Sequence, residues 1–162
     1  MTSALRPAEA RFILEVVGVP ALRFEHVVTA RVIAATPSEH VNYRPAVGAR
    51  GAADLARHIV GTELRFLEGA ATGSFPDLGP DLAAVIDMAA LAKTYQAKFD
   101  ALLEQLSSTT GEQLLRTLDY RGVIQLPALA FVQFAINHTI HHRGQLSVYL
   151  RAIGVGVPPI YG

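Results

Sequence analysis

Apolar residues recur at three- and four-residue spacing along four long segments of the chain, which is the pattern of amphipathic helices. The predicted helices run from Pro7–Glu9 to about Ala35, from Ala52 to Ala70, from Asp81 to Leu106, and from Pro127 to about Ile153. Pro20 should kink or split the first helix, and Gly154 should end the last. Because strand signal is almost absent, we predict an all-α protein, a four-helix bundle, with residues 1–162 as a single domain.

The segments between these helices are long and irregular. Glu39–Arg50 is an irregular loop, and a stretch rich in glycine and proline covers 72–80. After the third helix, Glu112–Thr117 adds a short helical turn, and Leu118–Val123 is predicted to be a brief strand or a loop laid across the bundle. Only short connections force consecutive helices to be antiparallel neighbours, so the pattern leaves the helix order open.

The fourth helix is apolar on two sides. One stripe carries His138 and His142 together with Phe131, Phe134, Ala135, Gln145, Leu146 and Tyr149. A second set projects roughly opposite and comprises Leu129, Val132, Ile136, Ile140 and Leu150. A helix apolar on both sides must be covered on both sides, by its own chain or by a second subunit. We predict a homodimer in which the fourth helix contributes to a two-fold interface.

Composition narrows the function classes. The 162 residues include 14 Lys+Arg and 14 Asp+Glu, so no basic field attracts nucleic acid. The absence of cysteine excludes disulfides, zinc–thiolate sites and a thiol nucleophile of the chain's own. The N-terminal segment is broken by Glu15 and Pro20, so we expect neither a signal peptide nor a membrane span. The expected protein is soluble and cytoplasmic.

Three of the six histidines fall within Asn137–Gln145. His138 and His142 are one helical turn apart and present two nitrogen donors to one point, the local geometry of a helical metal site. His141 competes with His142 but lies at the margin of the stripe, so we assign His142 as the ligand and His141 as a flanking residue. The alternative is a pair of core histidines hydrogen-bonded to their neighbours.

A third ligand would have to come from another helix. His58 lies at the edge of the apolar face of the second helix, and a helix packed beside the fourth could direct it to the same point. Glu63, five residues further on, projects away from His58 and is not counted as a ligand. The residues considered for orienting the imidazoles are Asp54, Asn137, His141 and Gln145.

Two blocks of residues resemble a known family. His138–Leu146 is followed by Tyr149–Arg151, Gly154, Pro158 and Ile160–Gly162, and Tyr43–Pro45 is followed by Asp54–Ile59. Both blocks, in this order, resemble the DinB/YfiT-like family, which is regarded as a family of metal-dependent enzymes. The resemblance spans nearly the whole chain. It implies a four-helix bundle with up-down-down-up connectivity, usually dimeric, and a divalent metal held by His58, His138 and His142.

The resemblance also implies a chemistry. Three histidines leave coordination positions open, as in catalytic centres, and zinc or nickel is expected, with iron or copper as alternatives. Relatives include transferases and isomerases that use low-molecular-weight thiols such as bacillithiol or mycothiol, so we expect activation of a cosubstrate thiol, or of water for hydrolysis. The alternative is a non-catalytic, stress-related dimeric protein that binds a metal or ligand.

No basic pocket for the carboxylates of a thiol can be read from the sequence. Arg44, Arg57 and Arg143 are available, but Arg143 projects away from the histidine stripe, and we expect it to make structural or interface contacts.

Overall fold

Four long helical segments form the frame of the protein, as the periodicity predicts. The computed structural model describes residues 5–77, 82 and 85–161. The elements are α1 (Pro7–Ile13), a π-helical turn (Leu14–Gly18), α2 (Val19–Ala34), a 3-10 turn (Ser38–His40), α3 (Ala52–Thr72), α4 (Met88–Ser107), α5 (Gly111–Leu115), β1 (Thr117–Tyr120), β2 (Ile124–Pro127) and α6 (Ala128–Ala152). The prediction of an all-α bundle is confirmed.

The first long helix is interrupted just before Pro20. Its α1 and α2 segments are joined by the π-helical turn, in which the N–H of Val19 bonds to the carbonyl of Leu14, five residues back. Pro20 then falls in the first turn of α2, directly after this turn. The break predicted at Pro20 therefore takes the form of one wide turn in an otherwise continuous helix.

The direction of α6 follows from the residues it meets. His58 and Phe66 of α3 contact His142 and Phe131, respectively, so these two helices run antiparallel. On its other side, α6 pairs Arg143 with Glu25 of α2. Nearer the start of both helices, a methyl group added at Gly18 would lie 3.7 Å from Val132. The helices α2 and α6 are therefore parallel.

The direction of α4 is opposite to that of α2. His26 of α2 stacks on Phe99, and Arg11, ahead of α2, donates to the carbonyl of Ser107 at the far end of α4. Against α3 the order is parallel, because Arg57 donates to the carbonyl of Val85 just ahead of α4, and Glu63 then meets Tyr95. The four helices consequently run up, down, down and up, which agrees with the connectivity implied by the family resemblance.

The start of α4 differs from the prediction. Residues 85–87 are not helical, and the helix begins at Met88, where the Asp87 carboxylate accepts the N–H groups of Ala89 (2.8 Å) and Ala90 (3.2 Å). Asp87 is therefore the N-cap that the apolar pattern, which continues through Ile86, did not reveal. The rest of the predicted start, at residues 81, 83 and 84, lies outside the described residues.

A β-hairpin closes one end of the bundle. β1 and β2 pair antiparallel, with Leu118 opposite Leu126, and Gly122 in the connecting turn has φ of +69°. Leu118–Tyr120 is therefore extended. Of the two alternatives predicted for Leu118–Val123, this is the brief strand. Tyr120 packs its ring on Phe66 of α3 at 5.1 Å, so the hairpin is anchored to the same helix that carries His58.

The second apolar set of α6 is covered by the chain itself. Val132, Ile136 and Leu150 are buried within the monomer. Part of the cover is the C-terminal segment, in which the N–H of Val155 bonds to the carbonyl of Leu150 at 2.9 Å. For these three residues the cover comes from the chain itself, which is one of the two predicted alternatives, and the homodimer stays a prediction.

A buried ion pair ties α6 to α2 and to the C-terminal segment. Arg143 is only 2% exposed; it donates to a carboxylate oxygen of Glu25, to the hydroxyl of Thr29 at 3.3 Å, and to the hydroxyl of Tyr161 at 2.7 Å. Tyr161 in turn donates to the other oxygen of Glu25 at 3.0 Å. Arg143 therefore makes structural contacts, in agreement with its predicted projection away from the histidines.

We expect Arg143→Met to lower the free energy of unfolding by about 3 kcal/mol, because Glu25 would stay buried without its counter-charge. Tyr161→Phe removes only hydrogen bonds at the edge of the cluster and should cost about 1 kcal/mol. Urea denaturation measures both. The double variant Arg143→Met/Glu25→Gln should recover part of the loss; a double variant no more stable than Arg143→Met alone would contradict an ion-pair origin.

Candidate metal centre

His58, His138 and His142 lie together where α3 faces α6. The Nε2 atom of His58 is 3.0 Å from that of His138 and 3.2 Å from that of His142. One ring nitrogen from each of the three lies within 4.8 Å of the other two. The rings of His138 and His142 meet edge-on along α6 with centroids 4.3 Å apart, and His58 approaches both of them from α3. The three side chains form a group that could hold a metal ion.

The register of α3 against α6 is set by aromatic packing beside this cluster. Phe66, two turns after His58, is buried and places its ring 5.8 Å from Phe131 and 5.3 Å from Phe134. It also meets the ring of His138 edge-on at 6.3 Å. The apolar contact thus forms the inner wall of the cluster and fixes where His58 meets α6.

The outer nitrogens of two histidines have polar partners. Nδ1 of His142 lies 2.7 Å from the amide oxygen of Gln145. Because an amide oxygen can only accept a hydrogen bond, Nδ1 carries the hydrogen, and the lone pair on Nε2 faces the cluster. Nδ1 of His58 lies 3.4 Å from the hydroxyl of Thr62, one turn along α3. Thr62 was missed by sequence reasoning, although a hydroxyl four residues after a candidate ligand was the available signal.

Gln145 also connects the cluster to His141. Its amide nitrogen lies 3.2 Å from Nε2 of His141, whose ring packs edge-on against His142 at 4.8 Å. His141 is exposed and outside the group of converging nitrogens. The structure therefore places His141 in the flanking position expected for it.

The other two residues considered for orienting the imidazoles lie elsewhere. Asp54 pairs with Arg57 at 2.6 Å, and the amide oxygen of Asn137 accepts from Gln133 at 2.9 Å. Both are on the exposed side of their helices. Among the described contacts, neither residue bonds to a histidine of the cluster.

Glu63 points into the bundle core, as its predicted projection away from His58 requires. It is fully buried, accepts a hydrogen bond from the hydroxyl of Tyr95, and has Nδ1 of His26 at 4.0 Å. Burial raises the pKa of its carboxyl above the ordinary range. Glu63 thus belongs to a separate buried polar group.

The environment keeps the three histidines uncharged. Burial, reinforced by neighbouring positive charge, lowers the pKa of His58 to about 4 and that of His138 to about 3. Burial also lowers the pKa of His142, against the opposing effect of its bond to Gln145. Near pH 7 all three imidazoles are therefore neutral, which is the form that binds metal ions.

A cavity of about 490 Å³ opens beside the cluster. His142 and Gln145 form one side of it, Leu55 and Tyr149 contribute apolar surface, and Arg50 lines it from the loop before α3. Arg50 was not among the arginines singled out from the sequence. Its loop has no apolar periodicity, so the pattern gave no indication that it folds back onto the cluster.

None of the described helices combines the length and apolar character needed to cross a membrane.

The fold and the cluster define a helical-bundle protein with a candidate three-histidine metal centre. Comparison with known families agrees: the chain belongs to the DinB family, whose model matches residues 21–162. It is 35% identical over 126 residues to the Bacillus subtilis (strain 168) protein YjoA, covering 76% of this chain and 80% of YjoA. A second B. subtilis protein, YrdA, is 34% identical over 73 residues, covering 44% of this chain and 43% of YrdA.

Solved structures show the same fold. The crystal structure of the DinB-like protein YjoA from B. subtilis superimposes with a TM-score of 0.74 at 33% identity, covering 89% of this chain and 96% of that one. A DinB-like protein from Bacillus cereus ATCC 10987 gives a TM-score of 0.73 at 26% identity, covering 89% of this chain and 95% of that one.

The lowered pKa values predict acid sensitivity of the metal-free protein. Below the ordinary histidine value of 6.5, the unfolded chain takes up protons at His58 and His138 while the folded chain does not until about pH 4 and about pH 3. The free energy of unfolding should therefore fall as the pH drops from 7 to 5. The free energy of unfolding of the variant His58→Gln/His138→Gln, measured by urea denaturation with a chelator present, should fall less than that of the parent protein between pH 7 and pH 5. His141→Gln is the matched control, and an equal loss in parent and double variant would refute the linkage.

Proposed function

We propose that this protein is a metal-dependent enzyme in which His58, His138 and His142 hold a divalent ion and the adjoining cavity binds a small substrate. The observation that supports this most strongly is the convergence of three neutral imidazole nitrogens, contributed by two helices, beside a cavity large enough for a small molecule. The proposed reaction is transfer of a low-molecular-weight thiol, with hydrolysis as the near variant.

The residues present fit such an ion. The Nε2 lone pair of His142 is turned inward by Gln145. We expect zinc or nickel, and iron and copper are also compatible with imidazole ligands. Three protein ligands leave a position open, where a divalent ion would lower the pKa of a bound thiol or water. Because the chain contains no cysteine, the thiol must come from a cosubstrate.

The chain's own residues then have separate roles. Gln145 and Thr62 orient the imidazoles of His142 and His58 through their outer nitrogens. Phe66 holds His58 in register and keeps water away from the inner side of the cluster. His141 supports Gln145, while Asp54 and Asn137 have contacts that suit a structural role.

The experiment begins with metal content, measured by mass spectrometry on protein purified without a histidine tag and incubated with zinc or nickel. We expect about one ion per chain in the parent protein and none retained by His58→Ala or His138→Ala, because two histidines hold a divalent ion far more weakly than three. His141→Ala, from the same histidine-rich segment, is the control and should keep its metal. Circular dichroism checks that each variant is folded.

The second part tests turnover. Metal-loaded protein is given an electrophile with a small thiol and, separately, ester and amide substrates. Thiol-dependent turnover that His138→Ala abolishes and His141→Ala preserves is the expected result. Turnover unaffected by His138→Ala would rule out this site as the catalytic centre. Metal binding without any turnover would favour the alternative, a non-catalytic stress-related binding protein.

We also propose that the protein is a homodimer. We expect α6 to contribute to the two-fold interface, and the exposed apolar side chains add the first long helix to it, since Phe12, Val16 and Phe24 are 62%, 54% and 50% exposed. The formal charge of zero leaves little repulsion between two copies. Light scattering at micromolar concentration should give twice the monomer mass, and Phe12→Ser/Phe24→Ser should give the monomer. A monomeric parent would contradict the proposal.

The cytoplasmic location expected from the missing cysteines stays a prediction.

A further inference from the structure

Among the described residues Arg50 has no acidic partner, whereas Arg44 and Arg57 beside it both have one. Asp54 is shared by Arg57 at 2.6 Å and Arg44 at 3.6 Å. Within the part of the chain that the structure describes, no carboxylate lies within 4 Å of the Arg50 guanidinium. Arg50 is exposed to solvent, yet it lines the same cavity as His142. Its charge is therefore available to a ligand in that cavity.

The charge of Arg50 and the histidine cluster share one cavity, because Arg50 and His142 both line it. The rest of the lining is mostly apolar, formed by residues such as Leu55 and Val148. Apolar walls weaken solvent screening, so the potential in this cavity is positive. A divalent ion on the histidines would make it more positive still.

The backbone supplies little competing anion recognition at this end of α3. The first N–H groups of the helix are occupied: Ala52 donates to the carbonyl of Tyr43 at 3.0 Å, and Ala53 donates to that of Val41 at 2.8 Å. Recognition of an anion would thus fall to the one guanidinium. A single guanidinium fork can bind a carboxylate bidentately and balances its one charge, whereas a phosphate dianion would keep one charge unbalanced.

We propose that Arg50 binds a carboxylate of the substrate or cosubstrate, so that the site selects small thiols that carry a carboxyl group. The thiol end would lie at the histidine cluster and the carboxylate end at Arg50, within the cavity that His142 and Arg50 both line. This inference rests on the proposed function, because it assigns the second end of a ligand whose first end is held at the histidines.

The test uses the full-length protein loaded with cobalt(II), whose visible spectrum changes when a thiol binds. Two matched pairs of probes are titrated: 3-mercaptopropionate against 2-mercaptoethanol, and 6-mercaptohexanoate against 6-mercaptohexanol. For each pair, the ratio of the two dissociation constants gives the preference for the carboxylate. In Arg50→Gln this preference should fall about tenfold in at least one pair. A tenfold change corresponds to the low end of the energy range for a charge-assisted hydrogen bond, which we expect because Arg50 is exposed.

Arg23→Gln is the matched control. Arg23 is an exposed arginine of α2 that lines a different cavity, so this variant changes the net charge equally and should keep the preference. Binding of the uncharged thiols to Arg50→Gln, with the change in the cobalt spectrum seen in the parent, shows that the cluster is intact, and the ratio within each pair cancels any effect of the Arg50 charge on thiolate binding itself. An unchanged preference in both pairs, with all four thiols bound, would overturn the role of Arg50 and leave the proposed function standing. Failure of cobalt or of every thiol to bind would overturn both.

Discussion

The antiparallel contact between α3 and α6 is the constraint on which the candidate site depends. A helix advances about 1.5 Å and turns about 100° per residue, so a slip of one residue would carry His58 away from the other two histidines. Phe66 resists that slip because its buried ring is held between Phe131 and Phe134, two turns from His58. The β-hairpin adds Tyr120 to the same aromatic group. Precise placement of three polar rings is thus achieved by apolar packing next to them.

The polar groups inside the bundle have an energetic cost that this packing offsets. Three imidazoles held neutral by burial, and a Glu63 carboxyl whose pKa is raised by burial, each favour the unfolded chain over part of the pH range. The Glu25–Arg143 pair costs desolvation as well, although its hydrogen bonds to Thr29 and Tyr161 satisfy both ions. Each of these groups joins two different helices, so each also discriminates against wrong arrangements of the four.

Sequence reasoning found what is periodic and missed what is local. The four helices and the placement of His138 and His142 on one stripe follow from spacing alone. The N-cap at Asp87 was missed because apolar residues continue past the true start of α4. The C-terminal segment turns back at Leu150, where Val155 donates to its carbonyl, and this segment has no periodicity to reveal where it packs. The loop before α3 also has no periodicity, so the sequence alone could not show that Arg50 lines the cavity beside the histidines.

The three histidines are not held in the same way, and the difference follows the geometry of the cavity. His142 lines the cavity and His58 is half-buried beside it, and both have a polar partner at Nδ1, Gln145 and Thr62 respectively. His138 has its Nδ1 buried without a partner among the described residues, and it packs against Phe66 instead. Side chains on the open side can exchange partners with water, so a hydrogen bond is needed to hold their tautomer. His138 is oriented instead by its packing against Phe66. A ligand entering the cavity therefore meets His142, whose ring is fixed by a hydrogen bond to Gln145.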